Sequence, residues 1–294
     1  MTQYFDFATI IVRYTVYLCN VERNVCIMLT KEQFIKMAED FVEISSINRV
    51  SEEMALTPAC VGMRIFDKPL VGFASADDPI FEKFKNPNIQ TDRCLSVNEW
   101  LPGAKTVIAI FLPASEVPRE TNKANMDWPS PEWIHTRWEG EKFQDSLRHY
   151  LCDALRARGY QTCMPSHDDP RYTVIDLVSN WSERHTAYAC GLGTFNLAAN
   201  ILTERGCAGR LISIITDWEC EPTPRDYEGV YDYCIQCGEC IGHCPVNAIE
   251  FGKIKRHKDC RAFQKKVGDT DRDRYGCGKC QVAVPCEHRN PSRK

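Results

Sequence analysis

The chain has 294 residues, of which 44% are hydrophobic and 26% charged, a composition that suits one large globular domain and one small one. The formal net charge of −4 gives no overall reason to expect binding to nucleic acid or to a membrane surface. Seventeen cysteines are far above average, and about half of them cluster near the C-terminus with metal-ligand spacing. A metal site is therefore favoured over a disulfide scaffold.

The N-terminal segment lacks the basic start, apolar run and small-residue cleavage site of a secretory signal. Because cysteines with ligand spacing must stay reduced, we expect a cytoplasmic protein. Residues 5–19 are apolar, but Arg13 interrupts them and they are shorter than the ~20 residues of a membrane span. No membrane partner is expected, and residues 1–27 are predicted to be an extension peripheral to the fold.

Residues 28–220 are predicted to form an α/β domain. Thr30 and Gln33 fit a capping box at the start of an amphipathic helix over 31–43. The apolar run 107–112 predicts a buried strand, and residues 113–131 are expected to be a loop.

Downstream, the pattern of apolar residues and glycines predicts two helices and two strands before a linker at 221–229. These elements are a helix over 141–158 followed by Gly159, a strand over 172–178, a helix over 182–190 closed by Gly191, and a strand over 211–217. Helices that alternate with short apolar strands indicate a layered α/β architecture.

Residues 221–294 contain a cysteine pattern typical of bacterial ferredoxins. Cys234, Cys237, Cys240 and Cys244, followed by a proline, spell C-x2-C-x2-C-x3-C-P, in which the fourth cysteine binds the other of two 4Fe-4S clusters. The second set is Cys260, Cys277, Cys280 and Cys286. The ferredoxin crossover then predicts that Cys234, Cys237, Cys240 and Cys286 hold cluster 1, and that Cys244, Cys260, Cys277 and Cys280 hold cluster 2.

Zinc is the alternative for these cysteines, since four thiolates in paired C-x2-C spacing also suit a tetrahedral zinc site. The first motif disfavours zinc more strongly than the second set does.

Residues 253–294 contain 13 Lys or Arg against 5 Asp or Glu. This excess is interpreted as charge that offsets two anionic clusters, with an acidic or nucleic-acid partner as the alternative.

The remaining nine cysteines have no ligand spacing and are interpreted as small buried hydrophobic residues. Two of them lie at a suspected site, Cys190 within the segment 182–195 and Cys207 beyond it, and that segment reads S-E-R-H-T-A-Y-A-C-G-L-G-T-F. That segment predicts a helix ending in glycines. Physical reasoning favours equally an ordinary helix C-cap and a close approach of backbone to a large flat ligand.

Three segments resemble the epoxyqueuosine reductases and the related reductive dehalogenases. They are the E-R…A-x-x-x-G-L-G stretch, the Cys-Pro motif and Y-G-C-x-x-C-Q at 275–281, and the resemblance runs from about 176 to 286. It implies a cobalamin-binding domain of nitroreductase-like fold fused to two 4Fe-4S clusters. The chain is similar to a short form of the family, without the C-terminal helical repeats that help epoxyqueuosine reductases to grip tRNA.

The resemblance also implies site residues. Asp176 matches a catalytic aspartate that acts as proton donor, with Tyr172, Tyr188 and His185 as alternative acids nearby. The implied cobalamin contacts are Ser182, Arg184, His185, Gly191, Leu192, Gly193 and Thr194.

Two functional hypotheses follow. The first is an iron–sulfur-dependent reductase that passes electrons from two clusters to cobalamin and reduces a small molecule or modified nucleoside, with a ferredoxin or flavodoxin as donor. The second is a ferredoxin-type electron carrier that reduces or activates a corrinoid protein partner. Action on tRNA itself is a third reading, which requires a basic groove shared by both domains.

Overall fold

The computed structural model describes residues 29–270 and 273–293. The extension predicted for 1–27 lies outside this part of the chain. Within it, no helix combines the length and the apolar character that crossing a bilayer requires.

The described chain contains both helices and short strands along its length. The helices are α1 Lys31–Ile44, α2 Ile80–Lys83, α3 Val97–Trp100, α4 Glu116–Lys123, α5 Pro131–Arg156, α6 Glu183–Ala189, α7 Glu239–Gly242 and α8 His257–Gly268. The strands are β1 Leu70–Ser75, β2 Thr106–Pro113, β3 Thr162–Cys163, β4 Val174–Ile175, β5 Val178–Ser179, β6 Gly193–Phe195, β7 Ile201–Thr203 and β8 Gly209–Thr216. The predicted α/β class is confirmed.

Four strands form an antiparallel sheet in the order β1-β2-β8-β3. Side chains alternate between its faces, as they must in a strand. Thus Ile108 and Ile110 of β2 pack in one hydrophobic core with α1 and α5, whereas Val107 and Ala109 pack in a second core with α6. The central strands are buried on both faces, which explains the almost continuous apolar run at 107–112.

Several predicted elements are confirmed. Helix α1 begins at a capping box made by Thr30 and Gln33, and the strand expected at 211–217 is β8. The helix expected at 182–190 is α6, with Ser182 as its N-cap and Gly191 in the left-handed conformation just after its end.

Three predictions are corrected. Residues 113–131 are not all loop, because α4 lies within them. Helix α5 begins ten residues earlier than predicted, at Pro131, where Ser130 accepts a hydrogen bond from the backbone of Trp133. The single strand expected at 172–178 is a hairpin, β4 and β5, whose two turn residues both have positive φ.

Residues after β8 form the cysteine-rich part of the chain, and the 221–229 segment contains neither helix nor strand. Among the described residues, the main hydrophobic cluster of this part is shared with the α/β part. Ala198, Leu202 and Cys207 of the α/β part belong to the same hydrophobic cluster as Tyr233 and Ile249 of the cysteine-rich part. The hairpin of β6 and β7 therefore packs directly on the cysteine-rich part, and the boundary at 220/221 stays a prediction.

Candidate electron-transfer and cofactor site

The eight cysteines with ligand spacing line two separate cavities. Cys234, Cys237, Cys240 and Cys286 line the first. Cys244, Cys260, Cys277 and Cys280 line the second, which has a volume of about 230 Å³. The structure therefore brings the cysteines together in the two groups of four that the ferredoxin crossover predicts.

These cysteines line the walls of their cavities. Among the residues that the structure describes, no three His, Cys, Asp or Glu side chains converge on a position for a single metal ion. Burial raises the pKa values of Cys240 and Cys277 to about 12, so metal binding to them must release protons. The assignment of each cysteine to a cluster stays a prediction.

A ninth cysteine lies beside the first cavity. Sγ of Cys207 is 3.7 Å from Sγ of Cys286, and the backbone of Cys207 donates a hydrogen bond to the carbonyl of Cys286. Hydrogen bonding to Cys286 and burial raise the pKa of Cys207, whereas donation from Cys207 and Asn196 lowers the pKa of Cys286. Cys207, interpreted from sequence as packing, therefore contacts a predicted ligand.

The second cavity is positioned by α4, the helix that the sequence did not predict. Lys279 lies between Cys277 and Cys280 and is fully buried. Its ammonium donates hydrogen bonds to the carbonyls of Asn122 and Asn125 and to Oδ1 of Asn122, at 2.6 to 2.7 Å. Nδ2 of Asn122 in turn donates to the carbonyl of Cys277. The end of α4 thus holds the Cys277–Cys280 loop in place.

A buried carboxylate makes a second link to α4. Oε1 of Glu287 lies 2.7 Å from Arg119 and 3.0 Å from Lys123, both on α4, and Oε2 accepts a hydrogen bond from the backbone of Ala283. Because Glu287 directly follows Cys286, this network also fixes the last predicted ligand of the first set.

Gly278 shows how closely this loop approaches the α/β part. Its φ is +67°, and a Cβ atom there would lie 2.0 Å from the ring of Trp133. Only glycine can adopt this left-handed backbone conformation and also leave room for the ring of Trp133. This requirement was not recognised in the sequence.

Four cations line the second cavity: Arg137, Arg184, Arg210 and Lys255. No Asp or Glu in the described part of the chain lines it. Glu141, outside the lining, forms an ion pair with Arg137 and lies 3.9 Å from Arg210. The cavity is therefore strongly cationic.

Arg210 has a buried guanidinium nitrogen, Nε, without a hydrogen-bond partner among the residues that the structure describes. Burial, together with the nearby charges of Arg137 and Arg184, lowers the pKa of Arg210 to about 9. Burial and the charges of Arg184 and Lys255 also lower the pKa of His257, another lining residue, to about 4, so this imidazole is neutral at pH 7.

The residues implied as cobalamin contacts are only partly brought together. Of the seven, Arg184 alone lines the second cavity. Ser182 accepts a hydrogen bond from His185, whose pKa burial lowers to about 4, and the hydroxyl of buried Thr194 accepts one from the backbone of Tyr233. Leu192 is buried in the second hydrophobic core.

The two glycines of this segment have structural reasons of their own. At Gly191 a Cβ atom would lie 2.9 Å from Thr223, and at Gly193 it would lie 2.0 Å from the carbonyl oxygen of Leu202. The close approach at these glycines is therefore to the protein's own chain, rather than to a ligand.

Asp176 lies at the tip of the hairpin formed by β4 and β5, with 78% of its side chain exposed. Its carboxylate is 3.4 Å from Lys258 on α8, and it does not line the second cavity. The alternative acids Tyr172, Tyr188 and His185 do not line it either. Because α8 also carries His257 and Cys260, the hairpin tip contacts a helix of the cavity wall. The role of Asp176 as proton donor stays a prediction.

Comparison with known proteins identifies part of the cysteine pattern. Residues 227–250 match the model of the 4Fe-4S binding domain, and this segment contains the first four cysteines of the pattern. The chain is thus an iron–sulfur protein in which a 4Fe-4S binding domain follows a mixed α/β domain.

An epoxyqueuosine reductase from Bacillus cereus is 27% identical over 219 residues, covering 71% of this chain and 52% of the relative. A solved structure of a catabolic reductive dehalogenase superposes with a TM-score of 0.51 at 14% identity, over 76% of this chain and 31% of its own. The chain is therefore similar to an epoxyqueuosine reductase in sequence and to a reductive dehalogenase in fold. It spans about half the length of the curated relative and about a third of the dehalogenase chain.

Proposed function

We propose that the protein is a cytoplasmic reductase that passes electrons through two 4Fe-4S clusters to a ligand bound in the cationic cavity. The observation that carries this proposal is the division of the eight cysteines. Four line one cavity, and four line a second cavity that four cationic side chains also line.

One cysteine of the first set is exposed, which supports a direction for the electrons. The exposed cysteine is Cys237. Two apolar side chains nearby in the sequence are exposed as well, Ile235 by 50% and Phe251 by 57%. A ferredoxin or flavodoxin donor would therefore reach cluster 1 first. Cluster 2 lies beside the cavity and would deliver electrons to the ligand.

The donor groups of the second cavity fit cobalamin, whose flat ring is surrounded by amides and carries a phosphodiester. Asn200, Gln264 and Gln281 supply amide side chains, and Arg184 supplies a guanidinium for an anionic oxygen. The volume of about 230 Å³ is below the roughly 300–1,000 Å³ of ligand pockets, so a corrinoid would extend through the cavity mouth. When bound and reduced, cobalamin supplies a strongly reducing metal centre.

Cobalamin binding distinguishes the reductase from the electron carrier. Anaerobically purified protein with intact clusters should bind added cobalamin and change its cobalt electron paramagnetic resonance spectrum. Arg184→Gln should weaken this binding without changing the iron content, and Arg289→Gln, at an exposed arginine outside the cavity, should not. Absence of cobalamin binding to protein that contains its clusters would favour the electron carrier that acts on a corrinoid partner.

The cationic cavity also supports a substrate class. Arg137 and Arg210 lie near each other and near Tyr275, whereas Lys255 lies near the predicted ligands Cys280 and Cys260. Positively charged side chains therefore lie both beside the predicted ligands of cluster 2 and beside Tyr275. We propose that the substrate, a small molecule or modified nucleoside, carries a phosphate or carboxylate group bound by Arg137 and Arg210.

Inorganic phosphate tests this site without a known substrate. Phosphate should stabilise the wild-type protein against thermal unfolding more than potassium chloride does at equal ionic strength, since a ligand of the folded state shifts the melting temperature. Arg210→Gln should remove this difference, and the control Arg289→Gln should keep it. Equal stabilisation of all three proteins would contradict the anion site. Salt-dependent binding of tRNA that Arg210→Gln abolishes would instead favour action on tRNA.

A further inference from the structure

We propose that one turn of the α/β part, residues 196–200 between β6 and β7, sets the reduction potentials of both clusters. Nδ2 of Asn196 lies 3.9 Å from Sγ of Cys286, and Nδ2 of Asn200 lies 3.7 Å from Sγ of Cys280. These two cysteines belong to different sets of four. The inference rests on the proposed assignment of the cysteines to two clusters.

The orientation of the Asn196 amide follows from its other hydrogen bonds. Oδ1 accepts hydrogen bonds from the backbone of Ala198 and of Asn200, both at 3.0 Å. Because the oxygen is used in this way, the amide nitrogen must face Cys286. Asn196 is only 2% exposed, so bulk water does not compete for this donor.

Cations from both parts of the chain hold this turn in place. Arg184 of α6 donates a hydrogen bond to the carbonyl of Ala199 at 2.8 Å, and Lys255 of the cysteine-rich part donates to the carbonyl of Ala198 at 3.3 Å. Ala199 has a φ of +57°, a conformation that a non-glycine residue rarely adopts. The surrounding structure therefore determines the geometry of the turn.

A hydrogen bond to a cluster sulfur stabilises the reduced, more negative form and raises the reduction potential. Each asparagine reaches a thiolate of one cluster only. Replacing one of them should therefore change the difference between the two potentials, which is the driving force for the electron step from cluster 1 to cluster 2. Sγ of Cys207 also lies 3.7 Å from Sγ of Cys286. A cluster-bound thiolate at Cys286 could only accept from that thiol, so loss of Asn196 should lower this potential without removing all donation.

The test is an anaerobic redox titration of the full chain, followed by electron paramagnetic resonance, with iron and sulfide measured on each sample. Asn196→Ala and Asn200→Ala remove the donors. Asn196→Asp keeps the oxygen that supports the turn and removes the donor, so it remains informative if the alanine variant fails to fold. Asn86→Asp is the control, because Asn86 is an exposed asparagine whose Oδ1 also accepts a backbone hydrogen bond.

We expect each variant to move one of the two reduction waves to lower potential, a different wave for Asn196 than for Asn200, while Asn86→Asp moves neither. Unchanged potentials in proteins with full iron content, or equal shifts of both waves in every variant, would overturn the inference. A wild-type protein without two clusters would instead refute the cluster assignment, and the iron and sulfide analysis separates that outcome from this one.

Discussion

Replacing Cys280 with alanine is expected to leave one cluster in the protein. The iron and sulfide contents of the anaerobic protein should fall from about eight of each to about four of each, since a cubane that loses one of its four thiolates is not retained. Cys286→Ala should remove the other cluster to the same extent. The two variants should differ in their spectra, because the remaining cluster is the one beside the cationic cavity only in Cys286→Ala.

A cysteine outside both sets provides the control. Cys220 is partly buried and lines neither cavity, so Cys220→Ala should retain about eight iron atoms. Stoichiometric zinc without sulfide in the wild-type protein would show that the thiolates form zinc sites. Loss of all iron from Cys280→Ala and from Cys286→Ala alike would show that the two sets do not act separately.

Replacing Lys279 with methionine is expected to detach the Cys277–Cys280 loop from α4. The ammonium is fully buried and donates to the carbonyls of Asn122 and Asn125, which methionine would leave without this donor, whereas Oδ1 of Asn122 would keep its hydrogen bond from the backbone of Ser130. Buried acceptors without partners cost about 1–3 kcal/mol each, so we expect a loss of about 3 kcal/mol or more in the free energy of unfolding. Cluster 2 should also become more labile than cluster 1.

Anaerobic denaturant unfolding, together with the rate of iron loss to a chelator, measures both effects. Lys265→Met is the matched control, because Lys265 lies on the exposed surface of α8. The interpretation of Lys279 as an anchor would be wrong if both variants had the stability of the wild type and released iron at its rate.

The ligand pattern could be predicted from sequence because it is local. Two residues separate Cys234 from Cys237 and Cys237 from Cys240, and this spacing determines which corners of a cubane they can reach. The buried strand at 107–112 was predictable for a similar reason, because its apolar run reports burial on both faces of a sheet. In both cases the chemical information lies within a few residues.

Helix α4 could not be predicted in this way. Its sequence, EVPRETNK, contains a proline and almost no apolar periodicity, and its buried residues are Pro118 and Asn122. The helix is stabilised by polar contacts with residues about 160 positions away, such as Arg119 with Glu287 and Asn122 with Lys279. Hydrophobic patterns do not record contacts of this kind.

The roles of the residues in and around the second cavity could not be predicted from sequence either. A lysine is among the residues least expected in an interior, so nothing in the sequence marks Lys279 as buried. Gly191 and Gly193 were recognised as unusual, yet the reason for them is contact with Thr223 and Leu202. The positive charge near the C-terminus was noted, but Arg137, Arg184 and Arg210 come from distant parts of the chain.

The crossed grouping of the cysteines has a consequence for the order in which the protein is made. Three ligands of the first group are synthesised by residue 240, but the fourth, Cys286, comes at the very end of the cysteine-rich part. The second group likewise waits for Cys280. Neither cluster can be completed on a nascent chain that is still being elongated through this region. Insertion of either cluster therefore follows the synthesis of these late ligands, and a chain truncated before residue 280 should lack a complete site for either cluster.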